Sequence, residues 1–189
     1  MVLHDLMRKC RSYRRFNERR AIVKEELVDL IGLARLAPSA RNAQPLRYIL
    51  SYQTKTNAQI FPLIAWAGYL KDWDGPEPGE RPTAYIVVVR ETPASECNIL
   101  FDAGLAVQAI LLGAVEKGLG GCIIGAYPKA KLKEVLAIPE SYEPLYIIAL
   151  GEPAEQVEIE PLVNGDIKYW RDEASVHHVP KRSVSDLIV

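Results

Sequence analysis

The chain passes from a helical pattern to a strand pattern within one short stretch, from Ala37 to Tyr48. Pro38 cannot continue a helix, and it pushes the residue before it toward extended geometry, while Pro45 stiffens the start of the strand. Between the two prolines lie three polar side chains, Ser39, Asn42 and Gln44. Because an amide both donates and accepts hydrogen bonds, such a loop can bind the edge of a heteroaromatic ring. The same composition also suits an ordinary helix-to-strand connection.

A second stretch, from Arg8 to Arg20, is strongly basic and contains a single acid, Glu18. In a chain whose formal net charge is −1, this local cluster indicates an anionic partner, although a solvated charged face has the same composition. The partner is either a nucleic-acid backbone or a single phosphate monoester. Arg11, Ser12 and Arg14 favour the monoester, because guanidinium groups and a hydroxyl make geometry-specific bonds to phosphate oxygens.

Together these two stretches resemble motifs of the nitroreductase family, the small FMN-dependent oxidoreductases. The first is similar to that family's Pro-Ser-x-x-Asn-x-Gln-Pro-Trp loop, with Leu46 in place of the tryptophan. The second is similar to its Arg-Arg-Ser-x-Arg-x-Phe motif, with Cys10 in place of the first arginine. These departures concern the packing under the loop and one phosphate contact. Two later segments also resemble the family: Asp102-Ala103-Gly104 with Gln108, and Leu119 to Ala126, where Ile123 replaces a tryptophan.

The resemblance implies a cofactor site built from distant segments. Its members would be Arg11, Ser12, Arg14, Pro38, Ser39, Asn42, Gln44, Ile124, Gly125 and Arg182. The first three would bind the FMN phosphate and ribityl chain from one subunit, and Pro38, Ser39 and Asn42 would come from the other. Backbone amides at Ile124 and Gly125 would face the reactive side of the flavin, where an N–H stabilises the reduced state. Arg182 would add a phosphate contact, unless the Lys181-Arg182 pair is only a surface feature.

Apolar periodicity predicts both helices and strands along the chain. The expected helices are Leu3–Lys9, Lys24–Ala37, Ile99–Lys117 and Lys129–Ala137, and the expected strands are Arg47–Tyr52, Ala84–Arg90 and Leu145–Leu150. Thr54–Gly68 is ambiguous because Pro62 interrupts any helix, and Lys71–Pro82 has loop composition. The resemblance implies an α+β fold with a mixed, mostly antiparallel sheet flanked by helices. It also implies one domain over residues 1–189, paired as a homodimer that exchanges its C-terminal tails.

Composition indicates the number of domains and the cellular compartment to expect. Its 189 residues suit one domain, and 49% hydrophobic and 25% charged residues are ordinary for a soluble globule. Cys10, Cys97 and Cys122 are an odd number without metal-type spacing, which favours a reducing compartment. The longest apolar run, Ile99–Val115, contains Asp102 and Gln108 and is therefore expected to be a buried helix. We expect a cytoplasmic protein with neither membrane nor nucleic-acid partners.

Two further groups of residues are candidates for binding sites. Trp66, Tyr69 and Trp73 precede or begin a flexible loop, so they are candidates to line a substrate pocket, although such side chains are more often core. His177 and His178 lie near two acids but lack metal-ligand spacing, and we predict no metal site.

The sequence offers no convincing nucleophile or catalytic triad, which agrees with an enzyme whose cofactor supplies the chemistry. The expected activity is transfer of hydride from NADH or NADPH, through FMN, to a nitroaromatic, quinone or similar acceptor by a ping-pong mechanism. A second hypothesis is a flavoprotein with other chemistry, either reductive dehalogenation or flavin fragmentation. A third is a non-enzymatic module that binds FMN or nucleic acid.

Overall fold

The computed structural model describes residues 2–92 and 98–189, so Cys97 lies outside the described residues. Within those ranges the helices are α1 Leu3–Lys9, α2 Lys24–Ala34, α3 Thr54–Ile60, α4 Ile99–Glu116 and α5 Lys129–Val135. The strands are β1 Leu46–Ser51, β2 Ala84–Glu91, β3 Gly120–Ile124, β4 Tyr142–Gly151, β5 Val157–Pro161, β6 Trp170–Arg171 and β7 His177–Lys181. Single 3₁₀ turns occur at Ala40–Asn42, Phe61–Leu63 and Ser185–Leu187.

The central sheet has four strands in the order β1-β2-β4-β3, and each neighbouring pair is antiparallel. β2 lies in the middle because its run Ala84–Val89 is almost wholly apolar, and every residue in that run is buried. The end of β4, from Ile147 to Leu150, is buried beside it. β1 and β3 are left as the two edges of the sheet.

Alternate residues of β2 belong to two hydrophobic clusters, as expected for a strand buried on both faces. The even-numbered residues share a cluster with α2 and α4, and the odd-numbered ones share a cluster with Ile60 of α3 and Leu132 of α5. α4 approaches α2 closely at Gly113, where an added Cβ would collide with Leu30 and Leu33. The prediction of an α+β fold with a mostly antiparallel sheet flanked by helices is confirmed.

The C-terminal tail forms a second sheet in the order β5-β7-β6, with β5 parallel and β6 antiparallel to β7. Glu155 holds the start of this tail against the N-terminal segment. Its fully buried carboxylate accepts hydrogen bonds from the backbone N–H groups of Arg14 and Arg15, and it pairs with Arg171 at 2.8 Å. Exchange of the tail with a partner subunit stays a prediction.

In the described part of the chain, α4 alone has the length and apolar composition of a membrane span. More than half of it, 56%, is nevertheless buried inside the fold, where Ala103, Val107 and Ile110 pack in the core. It is therefore the core helix that the apolar run Ile99–Val115 predicted.

Candidate functional site

The loop between α2 and β1 adopts an unusual backbone. Arg41, Asn42 and Gln44 have φ values of 55°, 53° and 49°, in the left-handed region that few residues other than glycine occupy. Such conformations persist only where the surrounding contacts fix them, and they are common at ligand sites. An ordinary connection would not need three of them in four residues.

Asp102, in the first turn of α4, fixes this loop. The residue is only 2% exposed. Its Oδ2 accepts a hydrogen bond from Ser39 Oγ at 2.6 Å, and its Oδ1 accepts one from the backbone N–H of Ala40 at 3.0 Å. Ser39 Oγ in turn accepts a bond from the backbone N–H of Gln44 at 2.9 Å. Asp102 belongs to a family-like motif, but the sequence does not indicate its role, because its two partners lie more than 60 residues away.

The loop's amide side chains are left exposed. Gln44 Nε2 makes a single long hydrogen bond of 3.3 Å to the carbonyl of Asn42, and both residues are exposed. A cavity of about 230 Å³, which we call the loop cavity, lies behind them and includes Pro38, Ser39 and Gln44 in its wall. Four predicted cofactor residues are thus gathered in one loop, and the side-chain amides of two of them, Asn42 and Gln44, are exposed.

Arg14 is the most constrained residue of the basic segment. It is 8% exposed, and its Nη1 donates to the carbonyl of Ser12 at 3.2 Å and lies 3.1 Å from Nε2 of His177. Its guanidinium centre stands 4.8 Å from the centroid of the Tyr169 ring. Because a guanidinium can only donate, Nε2 of His177 must accept, and the imidazole proton then belongs on Nδ1.

His177 is held neutral by these surroundings. Its exposure is 1%, and burial together with the charges of Arg14, Arg171 and His178 lowers its pKa to about 4. The sequence suggests only a metal-ligand hypothesis for this histidine and gives no signal for its contact with Arg14, 163 positions away. Its neighbour His178 points elsewhere and bonds Glu160 and Asp172, at 2.9 and 3.1 Å.

A cavity of about 250 Å³, which we call the basic cavity, lies beside Arg14. Its wall consists of Cys10, Arg11, Ser12, Arg14, Tyr169, His177, Val179 and Lys181. Arg11 donates to the carbonyl of Met7 at 2.8 Å, while its buried Nε has no partner among the described residues. The structure thus brings together the three residues predicted for the phosphate. Lys181 also lines this cavity, whereas the predicted Arg182 is exposed just beyond β7.

Cys10 takes the place of an arginine without replacing its charge. Its Sγ lies 3.7 Å from Nε2 of Gln108 on α4, and burial raises the pKa of the thiol. The side chain is therefore a neutral, packed group, and cationic contacts in this cavity come from Arg11, Arg14 and Lys181.

Ile124 and Gly125 lie at the end of the edge strand β3. Ile124 is 4% exposed and pairs with Ile147 of β4, and Gly125 follows it as an exposed residue. Earlier in the strand, Gly121 forms a bridge to Ser12, and a Cβ at Gly121 would lie 2.8 Å from the carbonyl oxygen of Ala149. β3 thus connects the basic segment with the predicted flavin-facing amides.

The three aromatic candidates for a substrate pocket have different surroundings. Trp66 is 8% exposed and packs with Trp73 at 6.4 Å, as a core residue does. Trp73 lies under the guanidinium of Arg171 at 4.2 Å. Tyr69 is 47% exposed and contacts Tyr169 at 4.9 Å. Tyr69 therefore contacts Tyr169, the ring on which Arg14 stacks. Trp66 and Trp73 pack against each other instead.

Within one chain the two groups of predicted cofactor residues face different cavities. The loop cavity and the basic cavity have no lining residue in common. That the loop and the basic segment serve one site from different subunits stays a prediction.

Comparison with known proteins gives the same family that the motifs resemble. The sequence model described as "Nitroreductase family" matches residues 7–152. The putative NAD(P)H nitroreductase YodC of Bacillus subtilis is 25% identical over 190 residues, covering 84% of this chain and 94% of the relative. An iodotyrosine deiodinase of Thermotoga neapolitana is 26% identical over 170 residues, covering 80% and 89%.

A solved structure shares the fold. An FMN-dependent nitroreductase of Clostridium difficile R20291 superposes with a TM-score of 0.65 at 22% identity, covering 82% of this chain and 89% of that one. Since the family model spans well over half of the sequence, the chain belongs to the nitroreductase family.

Proposed function

We propose that this protein is an FMN-dependent oxidoreductase that carries hydride from NADH or NADPH to a nitroaromatic, quinone or similar acceptor. The observation that carries the proposal is the basic cavity, where Arg11, Ser12 and Arg14 converge beside Lys181. FMN, when bound, supplies the chemistry by accepting hydride from the nicotinamide and passing it to the acceptor. The names of relatives, a putative NAD(P)H nitroreductase and an FMN-dependent nitroreductase, support the assignment.

The donors in the basic cavity fit a phosphate monoester. Guanidinium and ammonium groups and a hydroxyl suit phosphate oxygens, and the buried Nε of Arg11 has no partner of its own among the described residues. Arg14 is held in place by Ser12, His177 and Tyr169, so little side-chain freedom is lost when it binds an anion. Lys181 adds charge at the same wall and is a better candidate than Arg182 for the second phosphate contact.

The loop would hold the flat end of the cofactor from the partner subunit. The exposed amides of Asn42 and Gln44 match the alternating donors and acceptors of a heteroaromatic edge. Ser39 contributes less directly, because its hydroxyl already bonds Asp102 and the backbone of Gln44. Backbone N–H groups at Ile124 and Gly125 would orient the ring at the end of β3.

We infer a homodimer because the chain leaves complementary surfaces open. β1 is an edge strand of the central sheet. The exposed residues after β7 include three large apolar side chains, Val184, Leu187 and Ile188, each at least 66% exposed. Leu100 and Phe101 are likewise exposed on α4, at 62% and 57%. Addition of the tail to the partner's β1 would cover that edge and bring the two half-sites together.

A rival chemistry is reductive dehalogenation, and the observation that favours it is the relative named an iodotyrosine deiodinase. We rank it second because the short chain offers few extra segments to clamp such a substrate. A binding module without catalysis ranks third. A single shared pocket for nicotinamide and acceptor predicts ping-pong kinetics, which a binding module without catalysis would not show.

The test is to purify the protein and measure its flavin content, its reduction by NADH and NADPH, and turnover with a quinone. We expect yellow protein with non-covalent FMN and parallel lines in double-reciprocal plots. Colourless protein that takes up no FMN on titration would overturn the proposal. FMN binding without reduction by either nicotinamide would favour the binding module, and faster turnover of a halophenol than of any quinone would favour dehalogenation.

A further inference from the structure

A third cavity, of about 200 Å³, lies between α3 and the start of β2. It is lined by Glu18, Ala21, Tyr52, Thr54, Asn57, Ala58, Phe61, Arg81, Pro82, Thr83 and Tyr85, and we call it the Arg81 cavity. None of these residues lines the loop cavity or the basic cavity. The cofactor site proposed above therefore gives no reason for its polar groups.

Arg81 lacks the partners that a half-buried guanidinium normally has. Its Nε is buried without a hydrogen bond, and the side chain makes no ion pair with any residue that the structure describes. Its guanidinium centre lies 4.3 Å from the centroid of the Phe61 ring. Because a partly buried guanidinium loses part of its hydration, this arrangement favours an anionic acceptor beside Arg81.

Tyr85 presents a second unused donor to the same cavity. Its side chain is 0% exposed, and its hydroxyl has no hydrogen-bond partner among the described residues. Burial raises the pKa of this phenol, so the hydroxyl keeps its proton and can donate it. Buried polar groups in folded proteins are nearly always paired, so the free hydroxyl points to a group that accepts its bond.

Three other polar groups at this cavity already have partners. Asn57 accepts from Ser51 Oγ at 2.7 Å and donates to the carbonyl of Thr83 at 2.8 Å. Thr83 Oγ1 donates to the carbonyl of Arg20 at 3.0 Å. Glu18, at the exposed rim, accepts a bond from the backbone N–H of Gly79. Arg81 and Tyr85 thus carry the buried donors at this cavity that have no partner among the described residues.

We propose that the Arg81 cavity binds a small aromatic carboxylate. The carboxylate accepts hydrogen bonds from the Arg81 guanidinium and the Tyr85 hydroxyl, and the ring packs against the apolar wall that includes Phe61, Tyr52 and Ala58. The size is suitable, because an apolar protein cavity of about 150 Å³ is enough to bind benzene.

The test uses benzoate as the probe and benzamide as its neutral isostere. Calorimetric titration of the purified protein should give benzoate binding at least tenfold tighter than benzamide binding. Arg81→Gln should weaken benzoate at least tenfold, whereas Arg19→Gln, which removes an exposed arginine outside the three cavities, should leave it unchanged. Equal affinity of wild type and Arg81→Gln for benzoate would overturn the proposal.

Two further measurements keep the outcome specific to this cavity. Benzoate that stacks on a bound flavin would change the visible spectrum and would not depend on Arg81, which would also overturn the proposal. Tyr85→Phe removes a single hydroxyl without changing shape, so it remains informative if Arg81→Gln does not fold. We expect it to weaken benzoate binding several-fold, and unaltered affinity would contradict the role given to Tyr85. Neither measurement requires the proposed oxidoreductase activity.

Discussion

At the scale of single residues, Arg14 is distinguished from the other basic side chains by its burial and its fixed position. Seven lysines and arginines fall between Arg8 and Arg20, yet Arg14 alone among them is buried, and it is held by His177 and Tyr169. A charged group fixed beside a cavity can bind an anion without losing side-chain entropy. We therefore expect Arg14, more than the other basic residues of this segment, to make a specific contact with an anion.

Arg14→Ala should weaken FMN binding far more than Arg19→Ala. Loss of a charge-assisted phosphate contact typically costs about 1.5–3 kcal/mol, or roughly one to two decades of affinity. Fluorescence titration of the apoprotein with FMN measures the effect, and Arg19, exposed in the same segment, is the matched control. Unchanged affinity in Arg14→Ala would show that this arginine is misassigned.

Asp102→Asn should loosen the loop between α2 and β1 while sparing the proposed phosphate contacts. The carboxylate accepts bonds from Ser39 and Ala40 through its two oxygens, and an amide of the same shape has only one acceptor oxygen. Loss of one buried hydrogen bond should lower the free energy of unfolding by about 1–3 kcal/mol. It should also change the rate of flavin reduction by NADH or NADPH more than the affinity for FMN.

The control for this variant is Asp29→Asn, on the exposed face of α2. Asp29 pairs with Lys117 but its side chain is 63% exposed, so its loss should have little effect on urea unfolding. Equal stability and equal reduction rates in Asp102→Asn and wild type would contradict the anchoring role of Asp102.

At the scale of elements, the helices and strands that the sequence predicted are those with a clear apolar periodicity within their own residues. α1 matches its predicted span, and the ends of β1, β2, α4 and α5 fall within about two residues of expectation. α2 ends at Ala34 instead of Ala37, since the chain turns before Pro38. The ambiguous segment begins with α3, and Pro62 lies in the 3₁₀ turn that follows it.

The elements of the tail could not be predicted in the same way. β5, β6 and β7 are short and partly exposed, so their apolar alternation is weak, and they are stabilised by contacts with distant residues. Arg14 and His177 are 163 positions apart in the sequence. Glu155, which accepts from the backbone N–H of Arg14, is 141 positions away from it. A motif can identify Arg14, but only the folded chain shows what holds it.

The docking of the tail should depend on pH through His177. Its pKa is lowered from an ordinary 6.5 to about 4 by burial and by Arg14, Arg171 and His178 around it. The unfolded chain therefore binds the proton more readily, and stability that is present above about pH 6.5 is lost as the pH falls toward 4. By linkage, protonation of His177 should lower the free energy of unfolding by about 2 kcal/mol between pH 7 and pH 5.

His177→Gln provides the comparison, because its amide can still accept from Arg14 but does not titrate. Urea unfolding at pH 7 and pH 5 should show a larger loss for wild type than for this variant. His178 has the opposite sign, since bonds to Glu160 and Asp172 raise its pKa, so its contribution is lost as the pH rises. An identical pH dependence in wild type and His177→Gln would contradict the buried neutral histidine.

At the scale of the whole molecule, the proposed site requires two chains. Within a single chain the loop cavity and the basic cavity have no lining residue in common. A dimer of two 21.1 kDa chains, about 42 kDa, should be seen by light scattering at micromolar concentration. Removal of residues 182–189 should weaken both the dimer and FMN retention, because the exposed apolar tail would then be missing. A 21.1 kDa monomer that retains FMN would contradict the shared site.

Subunit mixing tests the shared site most directly. If each site takes Arg14 from one chain and Asn42 from its partner, a heterodimer of Arg14→Ala and Asn42→Ala chains has one doubly altered site and one intact site. Random pairing of an equal mixture makes half of the dimers heterodimers, so about a quarter of all sites should regain wild-type FMN affinity and reduction rate. If Arg14 and Asn42 served the same site from one chain, every site would carry one defect. No wild-type fraction would then appear on mixing, and stopped-flow reduction by NADH or NADPH distinguishes the two results.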